Sequence, residues 1–261
     1  MKSALLLVVL LALAGCADRL PINTDYLSQG QSSRVQYIVL HYTSTDLAHS
    51  LALLTGPDVS SHYLIGDQPA PIIYRLVDEE RRSWHAGESE WQGRTWLNAS
   101  SIGVEIVHPG YRTLADGSLE WQPYSPAQID LLITLLEDLV KRHQLPPDSV
   151  IGHSDVAPQR KVDPGPLFPW QRLAEAGLIR WPDEAAVLQA RARHAQQLPD
   201  AAWFQVQLGR VGYRVPMHGE WDDATRNVLA AFQMKYRPQR HDGLPDAESA
   251  ALLEVLNASL Q

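Results

Sequence analysis

Residues 125–143 carry the most regular pattern in the chain, and that pattern constrains what can surround it. Ser125 can cap a helix, Pro126 suits its first position, and Gln128 completes a capping box. Ile129, Leu132, Ile133, Leu136 and Val140 then recur at helical spacing, and Pro146-Pro147 stops the run. A helix with one apolar face has to bury it against another layer. Short β-rich runs at 35–40, 62–65, 71–77, 102–107 and 150–151 supply one, with Gly66-Asp67 in a turn and a further helix near 46–55. The fold class this predicts is α/β, a central sheet covered by helices on its faces. Within 102–107, alternation puts Ile102, Val104 and Ile106 on one face and Gly103, Glu105 and Val107 on the other.

A length of 261 residues suits one catalytic domain and a small accessory module. Residues 181–199 are polar and helix-prone and read as a linker. From Asp200 the pattern becomes three short helices, near 201–211, 223–236 and 246–257. The formal charge of −8, with no basic run, excludes a nucleic-acid binder that works through phosphate contacts.

The first residues point to a membrane address. Lys2 precedes an apolar run at 4–14, which suits a signal h-region better than a bilayer span. The run closes in Leu13-Ala14-Gly15-Cys16, which resembles a bacterial lipobox. Cys16 is the sole cysteine, so it is the expected lipidation site; it also leaves no intrachain disulfide. Ala17 is not the usual inner-membrane retention residue. The expected location is therefore the periplasmic face of the outer membrane, with 1–15 a signal peptide and 16–33 a tether.

Ten histidines are present. His49, His143, His194, His218 and His241 lie in polar or helix-surface settings and read as solvated. His41, His85 and His153 sit at strand ends and in stiff loops, where function concentrates. His153 and Asp163 share a loop stiffened by Pro158, Pro164, Pro166 and Pro169. They can meet on one ion if a third ligand comes from elsewhere, and His41 is the best candidate. Two imidazoles and a carboxylate leave a tetrahedral Zn²⁺ one open position. By ligand type alone, iron and nickel remain open.

Five separated motifs, Val39-Leu40-His41-Tyr42-Thr43, Ser61-His62-Tyr63-Leu64-Ile65, Trp84-His85-Ala86-Gly87, Ser101-Ile102-Gly103-Val104-Glu105 and residues 153–165, occur in order. Together they resemble the zinc-dependent N-acetylmuramoyl-L-alanine amidases of the AmpD and AmiD type, over about residues 34–180. The lipobox and the tail bring the chain nearer to the lipoprotein members. The resemblance implies an α/β fold with a mixed central sheet and helices on both faces, and one Zn²⁺ per chain on His41, His153 and Asp163. It implies catalytic roles for Glu105, as proton carrier, and Lys161, as the cation facing the transition state. It implies hydrolysis of the bond between the muramoyl lactyl group and L-alanine in peptidoglycan and muropeptides. His62, Trp84, His85 and Asn98 become candidates for the substrate cleft. Some relatives place a tyrosine where Ser61 stands here, so more of the proton transfer should fall to Glu105.

Residues 201–256 resemble the three-helix peptidoglycan-binding domain of many wall hydrolases, through Leu208-Gly209, Gly219-Glu220-Trp221-Asp222 and Phe232-Gln233. That implies a separable module at 200–261, dispensable for small soluble substrates. The competing reading is a non-catalytic peptidoglycan-binding lipoprotein, because related recognition proteins keep this fold after losing zinc ligands.

Overall fold

The computed structural model describes residues 20–259, so the signal-peptide and Cys16 readings lie outside the described residues. Residues 20–32 belong to a first unit, in which they carry no helix or strand; the second unit begins at Ser33.

The second unit is built on a five-stranded sheet. In chain order come β1 (Tyr37–Tyr42), α1 (Leu47–Leu54), β2 (Tyr63–Ile65) and β3 (Ile73–Arg75). A small hairpin follows, β4 (Glu90–Trp91) with β5 (Arg94–Thr95), then β6 (Ser101–Ile106). A second hairpin, β7 (Tyr111–Thr113) with β8 (Leu119–Trp121), precedes α2 (Pro126–His143) and β9 (Val150–Gly152). The sheet order is β3-β2-β6-β1-β9. Only β3 runs antiparallel to its neighbour, so the sheet is mixed, as the family resemblance implies. All six residues of β1 are buried, as expected for a strand that is paired on both edges and covered on both faces.

α2 covers one face. Ile129, Leu132, Leu136 and Leu139 pack on Ile38, Leu40, Ile102, Val104 and Ile106. The predicted capping box does not form. Ser125 occupies the N-cap without a side-chain hydrogen bond. Gln128 is buried, and its Nε2 donates to the carbonyls of Gly66 at 3.0 Å and Val107 at 2.9 Å. Those carbonyls follow the ends of β2 and β6, where water does not reach them. Leaving a buried acceptor unmet costs more than leaving a helix end to solvent.

The second face is covered by the C-terminal helices. Short α3 (His153–Val156) and α4 (Trp170–Glu175) lead to α5 (Glu184–Gln196), α6 (Ala201–Val211), α7 (Asp223–Tyr236) and α8 (Ala247–Ala258). The last three lie where the sequence placed them, each capped by an aspartate: Asp200, Asp222 and Asp246. Separability fails, however. Tyr37, Val39 and Ile151 of the sheet share one apolar cluster with Phe204, Leu208, Val228 and Phe232. The expected linker is α5, and it is tied to α8 through Arg193 and His194 on Glu254.

A buried polar contact crosses the same seam. Asp155 of α3 accepts from the Gly152 amide at 2.8 Å, from Tyr213 Oη at 2.6 Å and from Lys235 Nζ at 2.9 Å. Of the latter two donors, Tyr213 lies just after α6 and Lys235 lies on α7. Removing residues 200–261 should therefore abolish activity on small and polymeric substrates alike. Tyr213→Phe, a gentler change, should cost about 1.5–3 kcal/mol, the range for a hydrogen bond to a charged group. Urea unfolding of the full chain measures it; an unchanged midpoint would show that the seam does not carry stability.

Candidate active site

β6, β1 and β9 run parallel, so their C-terminal ends lie side by side, the place where α/β sheets gather functional groups. His41 sits near the end of β1, in register with Glu105 of β6. Paired residues on neighbouring strands point to the same face. That face lies opposite Ile102, Val104 and Ile106, as the alternation predicted. His153 follows β9 directly, and a bond from the Ser154 amide to the Asp163 carbonyl, 2.8 Å, holds the proline-rich loop against it.

Three ligand atoms converge. His41 Nδ1 lies 2.9 Å from His153 Nδ1 and 3.1 Å from Asp163 Oδ2, and His153 Nδ1 lies 3.0 Å from the same oxygen. All three residues are buried. Arms of about 2.0–2.2 Å to a single tetrahedral ion set such atoms about 3.3 Å apart, so the donor set and its spacing fit zinc. His153 Nε2 faces the Ala86 carbonyl at 3.2 Å. A carbonyl only accepts, so Nε2 carries the proton and, in the neutral ring, Nδ1 is bare. Burial, then the neighbouring His153, push His41 down to about 4, so its ring is neutral at pH 7.

These atoms form part of the wall of a cavity of about 310 Å³, which Glu105, Lys161 and Trp84 also line. Burial pushes the Glu105 carboxyl up to about 8; the Asp163 charge adds to the rise and Lys161 opposes it. Among the described residues, Glu105 Oε2 is buried without a hydrogen-bond partner.

The structure thus brings His41, His153, Asp163, Glu105 and Lys161 to one cavity. Trp84 stands half-exposed at its edge, and His85 lines its wall. His62 and Asn98 are placed elsewhere. His62 is fully buried; its Nδ1 accepts the Gly103 amide at 3.0 Å and its Nε2 meets the Arg81 carbonyl at 3.0 Å. It braces β2 against β6 and has no face left for a substrate. Asn98 Oδ1 accepts the amides of His85 and Ala86, at 3.2 and 2.8 Å, and so shapes the cavity wall from behind. Ser61 is buried outside the cavity lining, so that position adds no proton carrier.

Sequence reasoning missed Arg160. It lines the cavity and donates to the carbonyls of Ala86 and Glu88, which fixes the segment that receives the His153 proton. Its position beside Lys161 in the proline-stiffened loop was the available signal.

A buried histidine–histidine–aspartate triad that could hold a metal ion lies beside an unpaired carboxylate oxygen at the strand ends of a mixed sheet, an arrangement suited to hydrolysis. Residues 31–166 match the family model described as N-acetylmuramoyl-L-alanine amidase. The chain is 41% identical to the N-acetylmuramoyl-L-alanine amidase AmiD of Escherichia coli K12, over 96% of this chain and 95% of that protein. A solved structure of E. coli AmiD with anhydro-N-acetylmuramic acid-L-Ala-D-γ-Glu-L-Lys superposes with a TM-score of 0.84, covering 91% of this chain and 94% of that one. AmpDh3 of Pseudomonas aeruginosa, solved with an anhydromuramic pentapeptide, is 37% identical and superposes with a TM-score of 0.84, covering 93% and 98%. The chain belongs to the N-acetylmuramoyl-L-alanine amidase family.

The raised Glu105 pKa has a stability consequence in the metal-free protein. An unfolded glutamate loses its proton near 4.5, whereas folded Glu105 holds it to about 8. Between those values the folded state binds more protons, so its stability falls as pH rises. Glu105→Gln removes that slope. In urea titrations of metal-free protein, the variant should gain on the parent from pH 5 to pH 8; a constant difference would contradict the shift.

Proposed function

We propose that the protein hydrolyses the amide between the N-acetylmuramic acid lactyl group and L-alanine in peptidoglycan and its muropeptides, using zinc held by His41, His153 and Asp163. The observation that carries this reading is Glu105 Oε2, a buried oxygen with no partner, on a carboxylate that lines the same cavity as the triad. A receptor that only binds wall has no use for such a group, which costs stability to keep.

Zinc at the triad would supply a Lewis acid that brings the pKa of water to about 7. Glu105 takes up a proton at its carboxylate and returns it to the leaving amine, and a pKa near neutrality suits both steps. Lys161, on the cavity wall, faces the negative charge that develops on the lactyl carbonyl oxygen. Trp84, half-exposed at the rim, offers an apolar surface to the sugar or stem. The likeness to E. coli AmiD, solved with a muropeptide in place, supports this substrate class. It fits a role in wall turnover or recycling.

Mass spectrometry of products from purified sacculi tests the bond cleaved. Free stem peptides beginning in L-alanine support the reading; wall binding without release refutes it. Glu105→Gln should keep about one zinc per chain and lose at least about 10² in turnover, the lower range for a missing general base. His153→Ala should lose metal and activity together. Equal zinc loss in the two variants would overturn the division of roles.

We further propose a lipid anchor at Cys16 on the periplasmic face of the outer membrane. It is supported by the sequence Leu13-Ala14-Gly15-Cys16 and by a segment at 20–32 without helix or strand. Among the described residues, no helix is long and apolar enough to cross a membrane. Cys16→Ala should move the protein from the membrane to the soluble fraction with activity intact; retention in the membrane would refute the anchor.

A further inference from the structure

His85 is the one imidazole on the cavity wall that is outside the ligand triad, and it touches a ligand directly. His41 Nε2 lies 3.0 Å from His85 Nδ1. On the far side of the ring, His85 Nε2 lies 3.0 Å from Ser101 Oγ. Ser101 Oγ in turn lies 2.6 Å from the Leu97 carbonyl oxygen. Four groups therefore form one line from a 3₁₀ turn (Leu97–Ala99) to the triad.

Only two proton arrangements fill this line with neutral rings, and the Leu97 carbonyl decides between them. A carbonyl has no proton to give, so Ser101 donates to it. The Ser101 oxygen must then accept from His85 Nε2. With its proton there, His85 Nδ1 is a bare acceptor, and His41 Nε2 must donate to it. A neutral ring carries one proton, so His41 Nδ1 is left bare and faces His153 and Asp163. In the opposite arrangement two acceptors, Ser101 Oγ and the Leu97 carbonyl, would press together at 2.6 Å without a proton. That arrangement would also put a proton on His41 Nδ1, where an ion has to bind.

β6 is shaped for this ring. Ser101, Gly103 and Glu105 lie on its cavity face, and a Cβ at Gly103 would lie 2.5 Å from His85 Cγ. The glycine opens the slot in which the ring lies between Ser101 and His41. Asn98 holds the His85 backbone from the other side.

We propose that His85 and Ser101 are positioning residues that set the tautomer of His41, so that its Nδ1 is presented to the metal unprotonated. In many metal sites a carboxylate or a backbone carbonyl orients the ligand imidazole directly. Here the Leu97 carbonyl acts at a distance, through a hydroxyl and a second imidazole. The proposal rests on the reading that the triad holds zinc, but the tautomer can be measured without any metal.

The first test uses the metal-free full chain. Nitrogen-15 NMR of the side-chain imidazoles should show His41 and His85 both as Nε2–H tautomers. Finding His85 protonated at Nδ1 overturns the proposal whatever the metal does. The second test measures zinc affinity by competition with a chelator. Ser101→Ala removes the link to Leu97 and should weaken zinc about 10- to 100-fold, the effect of losing an outer-shell partner. Its metal-free His41 should show a mixture of tautomers, a signature that a merely structural serine would not produce. Ser101→Thr, which keeps the hydroxyl, should bind zinc as the parent does. Parental affinity with an unchanged His41 tautomer in Ser101→Ala would refute the relay. If that variant does not fold, the tautomers of the parent protein still decide. A parent chain that shows both Nε2–H tautomers yet binds no zinc would instead overturn the metal reading and leave the relay standing.

Discussion

The site depends on forcing three lone-pair atoms together out of water. His41 Nδ1, His153 Nδ1 and Asp163 Oδ2 lie within 3.1 Å of one another, all on buried residues. Without an ion these atoms repel or waste their hydrogen-bonding capacity, so folding does not bring them together for their own sake. The scaffold must oppose that cost. β1 does so by pairing along both edges, which leaves His41 little room to move. The Ser154–Asp163 bond closes the ten-residue loop that carries the other two ligands.

β6 shows how one strand face is divided among tasks. On its buried side Ile102, Val104 and Ile106 contribute only packing. On the other, Ser101 links the line of hydrogen bonds to the Leu97 carbonyl, Gly103 makes room for an imidazole, and Glu105 offers a carboxylate to the cavity. The period-two geometry of a strand sets these three at equal steps along a line. His85 needs a hydroxyl, then an absence, and the reaction needs an acid–base group one step further. A shift of one residue in register would turn all three into the α2 layer.

How legible this was in the sequence depended on how local each pattern is. The α2 stripe, the β6 alternation and the aspartate-capped C-terminal helices are short-range signals, and each appears where its residues predicted. His41, His153 and Asp163 were legible because motif order compensates for distance along the chain. What failed was long-range and polar. Gln128 looked like half of a capping box, since nothing in the sequence shows that the carbonyls of Gly66 and Val107 would need its amide. His62 and Asn98 sit in motifs beside functional residues, yet both are used up in bracing the backbone. Motif neighbourhood shows proximity to a site, not which way a side chain faces.

The C-terminal helices carry the clearest case of a hidden constraint. Lys235 and Asp155 are eighty residues apart, and both are nearly inaccessible to water. Burying an ammonium group is costly unless it is paired, and such a pair adds little net stability compared with apolar packing. Its effect is on specificity: Lys235 has no comfortable place unless the turn that carries His153 is already in position, and Asp155 lacks its charged partner unless α7 has docked. Lys235 Nζ also lies 4.2 Å from the centre of the Trp170 ring, which gives the charge a second favourable contact on the catalytic side. The module is therefore committed on its inner faces to the sheet and the metal-ligand turn. Any capture of polymeric wall by these helices has to use their outward surface, where Val206, Met217 and Leu244 are exposed. That surface is fixed relative to the cavity by the same buried contacts.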